Sequence, residues 1–242
     1  MSKETYLGID VGRYSYEQLQ NSILTDIDND EKSLIVAINP EKVLTAQNDE
    51  ELINLLNNAK YQIPDGVGIL LASRLKKGSI RERITGIDTF LTLCEMASSH
   101  NKSIFLYGAK PGVAENAKGE LEKMFPNLQV AGTLNGYEKD QKFVMETINE
   151  ANPDILFVAL GSPNQEYWIV ENMENLNVNI FQGVGGSFDV ISGKVKRAPK
   201  FFQRIGCEWL YRLLLEPSRI RRQLKLPMFL WKVLLNNNHP KA

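Results

Sequence analysis

Cysteine and histidine are scarce in this 242-residue chain, and each scarcity removes a class of chemistry. Cys94 and Cys207 build no disulfide framework and have no metal-ligand spacing, a usage that suits a reducing cytoplasm and ordinary core positions. His100 and His239 stand alone, which leaves neither a zinc site nor a His-based triad. No GxGxxG follows a strand-like run, and Asn135 stands where a dinucleotide fold places its ribose-binding acid. The start, MSKETYLGIDVGR, has no apolar signal-peptide region. The longest apolar run near the end, MFLWKVLL, falls far short of the ~20 residues that span a bilayer. DIDND (26–30) lacks the Gly and the twelfth-position Glu of a calcium loop and is expected to be a solvated loop.

What the chain does have is an uneven distribution of charge. From Lys194 onward there are twelve Lys and Arg against Glu208 and Glu216, a net +10. The remainder holds 16 basic and 27 acidic residues, a net −11. The formal total of −1 conceals this split, and a basic tail of this kind calls for an anionic partner.

Short apolar runs alternate with helical patterns. SLIVAIN (33–39), SIFLYGA (103–109), DILFVALG (154–161) and VNIFQGVGG (178–186) read as buried strands, and segments such as PEKVLTAQNDEELINLLNNA and NQEYWIVENM read as helices between them. This order predicts an α/β fold: a Rossmann-like, mostly parallel sheet with helices on both faces and ligands beyond the carboxyl ends of the strands. Strands stop after Gly193, which divides the chain into a core, 1–193, and a helical C-terminal appendage, 194–242, broken at Pro217 and Pro227.

Several strand ends carry unusual residues. YGAKPG (107–112), with Gly108, reads either as a phosphate-binding turn or as a plain tight turn. LGSPNQE (160–166) and GVGGSFDVISGKVKRAP (183–199) place small residues after very apolar strands and then offer Gln165 and Asp189. Glycines admit a ligand to the backbone, and the polar groups can hold a base or sugar; packed bends are the alternative. Asp65, in PDGVG, is either a helix-capping carboxylate or a catalytic one, and Arg83 and Asp88 are surface charges or ligand contacts. In the tail, Arg212, Arg219 and Arg222 fall on one helical face, and Trp209, Leu213, Leu224, Leu226, Phe229, Trp231 and Leu234 supply apolar surface. That pattern describes a helical lid with a solvated basic side or an interfacial membrane element. Nucleic acid fits it poorly, because the basic residues interleave with Leu and Trp.

Seven blocks, NPEKV, PDGVGI, ERITGID, LYGAKPGVAE, DILFVALGSPNQE, GVGGSFDVISGKVKRAP and EWLYRLLLEPSRIRR, stand in the order and spacing of the WecG/TagA/CpsF glycosyltransferases, glycosyltransferase family 26. Over residues 5 to 230 the chain resembles that family. The resemblance implies an inverting, metal-independent enzyme, without cofactor, peripheral on the cytoplasmic leaflet of the membrane. Its substrates would be a UDP-sugar of the N-acetylmannosamine type and N-acetylglucosamine on undecaprenyl diphosphate, whose 4-hydroxyl accepts the sugar. The pathway would be wall teichoic acid or another surface polysaccharide. An N-acetylmannosamine uronate or a hexose is the alternative donor. By the same resemblance Asp65 is the general base. Gln165, Gly185 and Asp189 hold the uridine diphosphate, joined by Arg83, and Arg212, Arg219 and Arg222 close over the site. Asn39, from the first block, and Gly108 complete the expected substrate-binding set. Where some relatives carry Thr this chain has Ala37, so a hydroxyl is missing there. A tail detached from the membrane would leave an apolar patch able to drive self-association. The rival readings are a nucleotide-dependent oxidoreductase and a non-catalytic membrane adaptor.

Overall fold

The computed structural model describes residues 2–199, 201–202, 208–215 and 224–236. The chain opens with an antiparallel hairpin, β1 (Lys3–Tyr6) and β2 (Ile9–Gly12), followed by α1 (Tyr16–Asp28). Then come β3 (Ser33–Ile38), α2 (Pro40–Ala46), α3 (Glu50–Asn58), β4 (Tyr61–Pro64), α4 (Val67–Leu75), α5 (Gly86–Ser99) and β5 (Ser103–Gly108). After these lie α6 (Val113–Met124), β6 (Gln129–Leu134), α7 (Gln141–Ala151), β7 (Ile155–Ala159), α8 (Asn164–Asn172), β8 (Ile180–Gly183) and α9 (Ser187–Ile191). Two further described helices are α10 (Glu208–Leu215) and α11 (Lys225–Leu235).

β3 to β8 form one parallel sheet in the order β4-β3-β8-β7-β5-β6, as the alternation predicts. Every residue of β3, β4, β7 and β8 is buried, because helices cover both faces of the sheet there. Along β3, Leu34, Val36 and Ile38 join the cluster that includes residues of α2, α3, α7 and α8. Ile35 and Ala37 join the cluster that includes residues of α1, α5 and α6. The helix after β3, α2, packs on the first face (Val43, Ala46) and the helix after β8, α9, on the second (Phe188). Since β3 and β8 are neighbours, their outgoing chains diverge and leave a crevice at their carboxyl ends.

Three sequence expectations need correction, and one feature was missed. DIDND is not a solvated loop: its first three residues end α1, and Asp26 is buried, accepting from Tyr61 OH at 2.7 Å and Lys60 Nζ at 2.8 Å. Those contacts tie α1 to the amino end of β4. The N-terminal hairpin and α1 were not expected. Pro227 does not break the last helix but sits in the first turn of α11, where its missing N–H has no helical partner to lose. Pro217 lies outside the described residues. Phe229 is not apolar surface: with Val233 it is buried in the first core cluster, as α11 packs on α2 and α4. Gly68 makes this docking possible, because a Cβ there would lie 2.3 Å from Pro40 Cγ and 2.6 Å from Leu226 Cδ1.

The hairpin is held by a buried carboxylate. Glu4 accepts from Tyr6 OH and Ser79 N–H, from Ser79 Oγ at 3.0 Å and from Ile80 N–H at 2.9 Å. Burial pushes its pKa up, but these donors outweigh burial and hold it below the ordinary 4.5. A depressed folded-state pKa contributes stability that is present above pH 4.5 and is lost as pH falls below it. The difference in melting temperature between the native protein and Glu4→Gln is therefore expected to be largest near neutrality and to shrink as pH drops below 4.5. A constant difference would remove the carboxylate from the account. Phe229→Ala is expected to cost about 3 to 5 kcal/mol in denaturant unfolding, the usual result of emptying a buried aromatic site.

Candidate active site

A cleft of about 400 Å³ opens at the carboxyl ends of β3, β4 and β8. Five helices begin at its walls: α2 after Asn39, α4 after Gly66, α5 after Thr85, α8 near Ser162, and α9 after Gly186. Each brings the positive end of its dipole, so the walls favour an anion before any side chain is counted.

Five of the predicted site residues line this cleft: Asn39, Asp65, Arg83, Gln165 and Gly185. Asn39 caps α2, its Oδ1 accepting the Lys42 N–H at 2.9 Å ahead of Pro40. Asp65 follows the last residue of β4. Its N–H donates to Ile38 O at 2.8 Å, and the chain then turns through Gly66 at φ +87°, a conformation that suits glycine. Arg83 sits on the loop between α4 and α5, which is pinned beside β4 by the Ile84 N–H donating to Pro64 O at 3.0 Å. Gln165 is buried; its Oε1 accepts the Gly185 N–H at 2.9 Å and its Nε2 donates to Glu166 Oε1 at 2.9 Å. Gly183 must be small, because a Cβ there would lie 2.4 Å from Gln165 Nε2.

The remaining predicted residues fall elsewhere. Gly108 is outside the lining. It has φ +125° at the end of β5, and an added Cβ would meet Ala159 O at 2.5 Å, so close strand packing accounts for the glycine. Asp189, within α9, is also outside the lining, with its Oδ1 3.8 Å from Lys194 Nζ. Arg212 is on α10, with its side chain outside the description, and Arg219 and Arg222 lie outside the described residues. The C-terminal segment nevertheless reaches the cleft through Glu208, Lys225 and Leu226. Arg197 Nε lies 3.6 Å from Glu208 Oε1, and the same guanidinium pairs with Asp88 in the first turn of α5.

Sequence reasoning missed Lys42 and Glu166. The two pair at 2.7 Å beneath the cleft. Burial pushes the Glu166 carboxyl up, but the Lys42 charge and hydrogen bond, with Gln165, hold it below its ordinary value. The available signal was a charge of each sign beside a predicted site residue, Lys42 after NPE and Glu166 after Gln165. Ala37 is part of the cleft wall, tight against α5: an added Cβ on Gly86 would sit 3.3 Å from its own Cβ. Among the described residues, no three of His, Cys, Asp and Glu gather into a metal-ligand set. The site thus combines a strand-end carboxylate, basic side chains and converging helix N-termini, an arrangement suited to proton removal beside a bound anion.

The sequence profile described as the glycosyl transferase WecG/TagA/CpsF family matches residues 4–242. The chain is similar to the N-acetylglucosaminyldiphosphoundecaprenol N-acetyl-beta-D-mannosaminyltransferase of Bacillus subtilis (strain 168). The two are 39% identical over 216 residues, 89% of this chain and 84% of that protein. The protein of the same name from Staphylococcus aureus (strain NCTC 8325 / PS 47) is 32% identical over 234 residues, 96% of this chain and 92% of that one. With a match along almost the whole chain and a cleft built from the residues of its motifs, the protein is a glycosyltransferase and belongs to the WecG/TagA/CpsF family.

Proposed function

We propose that the enzyme transfers N-acetylmannosamine from a UDP donor to the 4-hydroxyl of N-acetylglucosamine on undecaprenyl diphosphate, with inversion and without a metal ion. The observation that carries this reading is Asp65 in the same cleft as the Gly183–Ser187 turn and five helix N-termini. Asp65 takes the proton of the acceptor hydroxyl as its oxygen bonds to the anomeric carbon. The bond from that carbon to the diphosphate breaks, and UDP departs with the electron pair. A single displacement inverts the centre and needs one base and no covalent nucleophile. The charge developing on the diphosphate meets helix N-termini, Arg83 and the arginines of the tail, which supply what a divalent cation supplies elsewhere. The donor sugar and the lipid-linked acceptor come from the names of the relatives, whose similarity extends along the chain.

The exposed side of α11 supports a reading in which the enzyme docks peripherally on the cytoplasmic leaflet. Its inward side buries Phe229 and Val233, while Leu224, Met228, Trp231 and Leu235, spaced by four, three and four, are exposed, Trp231 and Leu235 by 61% each. Leu75, at the end of α4, is exposed as well, with Arg74 and Lys77 beside it. Apolar side chains flanked by cations suit an anionic interface. No described helix is long and apolar enough to cross a membrane. Away from lipid, the same surface would pair two copies of the chain.

The decisive assay incubates the pure protein, with EDTA, a soluble lipid-diphosphate N-acetylglucosamine and a panel of UDP-sugars, and follows UDP release and disaccharide. Turnover with UDP-N-acetylmannosamine is expected, and Asp65→Asn should lose a factor of ~10² or more in kcat while melting normally. Full activity in Asp65→Asn would remove the base. Trp231→Glu is expected to cut sedimentation with phosphatidylglycerol vesicles while leaving turnover of the soluble acceptor unchanged. Unaltered vesicle binding would dismiss α11 as the docking face.

A further inference from the structure

Beneath the cleft, one buried run of polar contacts ties together the ends of three strands. Lys42 and Glu166 are 7% and 1% exposed and pair at 2.7 Å. The Glu166 oxygen that takes the ammonium also accepts Gln165 Nε2–H at 2.9 Å, and Gln165 Oε1 accepts the Gly185 N–H at 2.9 Å. Lys42 follows β3, Gln165 and Glu166 lie at the start of α8 after β7, and Gly185 follows β8.

Stability alone is a poor account of such a pair, because desolvation offsets most of the attraction between two buried charges. Its effect here is to orient an amide. A glutamine can exchange the places of its oxygen and nitrogen with little change in shape, and the flipped form would set Nε2–H against the Gly185 N–H, donor against donor. A carboxylate only accepts. Glu166 therefore admits Nε2 on its side and directs Oε1 to Gly185, and Lys42 keeps Glu166 ionised. Gly183 leaves the space the amide occupies.

We infer that Lys42 and Glu166 are positioning residues that set the orientation of the Gln165 amide and, through it, the shape of the Gly183–Gly186 turn that receives the donor. The assignment of the donor to that turn rests on the function proposed above; the constraint on the turn does not.

Two readouts test it on Glu166→Gln, Lys42→Met and the double variant Lys42→Met/Glu166→Leu. The first, hydrogen exchange at the Gly185 amide, needs no substrate. It should speed up about 10-fold in Glu166→Gln and in the double variant, the worth of one hydrogen bond, while amides within β3 and β7 keep their protection. The second is the KM for donor and acceptor measured separately, with the donor value rising about 10-fold and the acceptor value unchanged. The double variant leaves no unpaired buried charge, so it should recover the melting temperature lost in Lys42→Met without recovering the donor KM. Unchanged Gly185 exchange, protection lost evenly across the sheet, or a donor KM restored together with the melting temperature would each overturn the inference and leave a purely structural pair. If the native enzyme turns over no UDP-sugar, the proposed function fails, and Gly185 exchange still decides the positioning role.

Discussion

The divergence of two neighbouring strands governs this molecule. β3 and β8 pair in parallel, but α2 leaves the first toward one face of the sheet and α9 leaves the second toward the other. No helix can then cover the carboxyl ends where the chains part. Since every strand of the sheet runs the same way, every following helix presents its N-terminus to that end. Four of them, α2, α4, α8 and α9, begin at the cleft, and α5, which follows the loop after α4, begins there as well. The site's preference for anions thus owes much to topology, which gathers the positive ends of helix dipoles at one place. The side chains then divide the remaining work: Asp65 is placed by the last ladder bond beside β4, and Gln165 reaches across from α8 to hold the turn after β8.

Much of this was legible in the sequence, for identifiable reasons. Runs such as SLIVAI and ILFVA are continuous because both faces of the sheet are covered, and continuous apolar runs between helical patterns signal a parallel sheet. Asp65, Gln165 and Gly185, which line one cleft, drew notice because glycines and polar groups stand at strand ends there, and the family resemblance singled them out among the alternatives. Other features were hidden for equally physical reasons. Lys42 and Glu166 lie 124 positions apart, and no local pattern shows that two ordinary helix-start charges meet in the interior. Asp26 looked solvated because two of its partners, Lys60 and Tyr61, stand at the start of β4, 34 and 35 residues on. At Gly108 a phosphate-binding turn and a plain tight turn both stayed open, because close packing against Ala159 and close approach to a ligand make the same demand for a missing Cβ.

Phe229 shows a further limit. On a helical wheel, a helix that is apolar nearly all round gives no orientation. Its orientation comes from the partner surface, where Gly68 and Pro40 create a recess for Leu226 and the Lys225 ammonium lies 3.4 Å from Glu41. Charge and shape on α2 and α4 therefore decide which residues of α11 are buried and which are left outside. The exposed row of Leu224, Met228, Trp231 and Leu235 is a consequence of that docking as much as of the tail's own sequence.

The same contacts make α4 the link between the chemistry and the surface. Its first turn follows Asp65 and Gly66, its second residue, Gly68, carries the contact with Leu226, and its end exposes Leu75. Just beyond, Lys76 Nζ donates to the Asn236 carbonyl at 2.6 Å, which fixes the far end of α11 as Gly68 fixes the near end. Nine helical residues rise by about 13 Å, so this short helix is held to α11 near both of its ends. The outer row of α11 and the rod whose start abuts Asp65 therefore belong to one packed unit. In the proposed reaction the acceptor is anchored in lipid, and this coupling would hold the base at a fixed height above the surface from which the sugar's hydroxyl arrives.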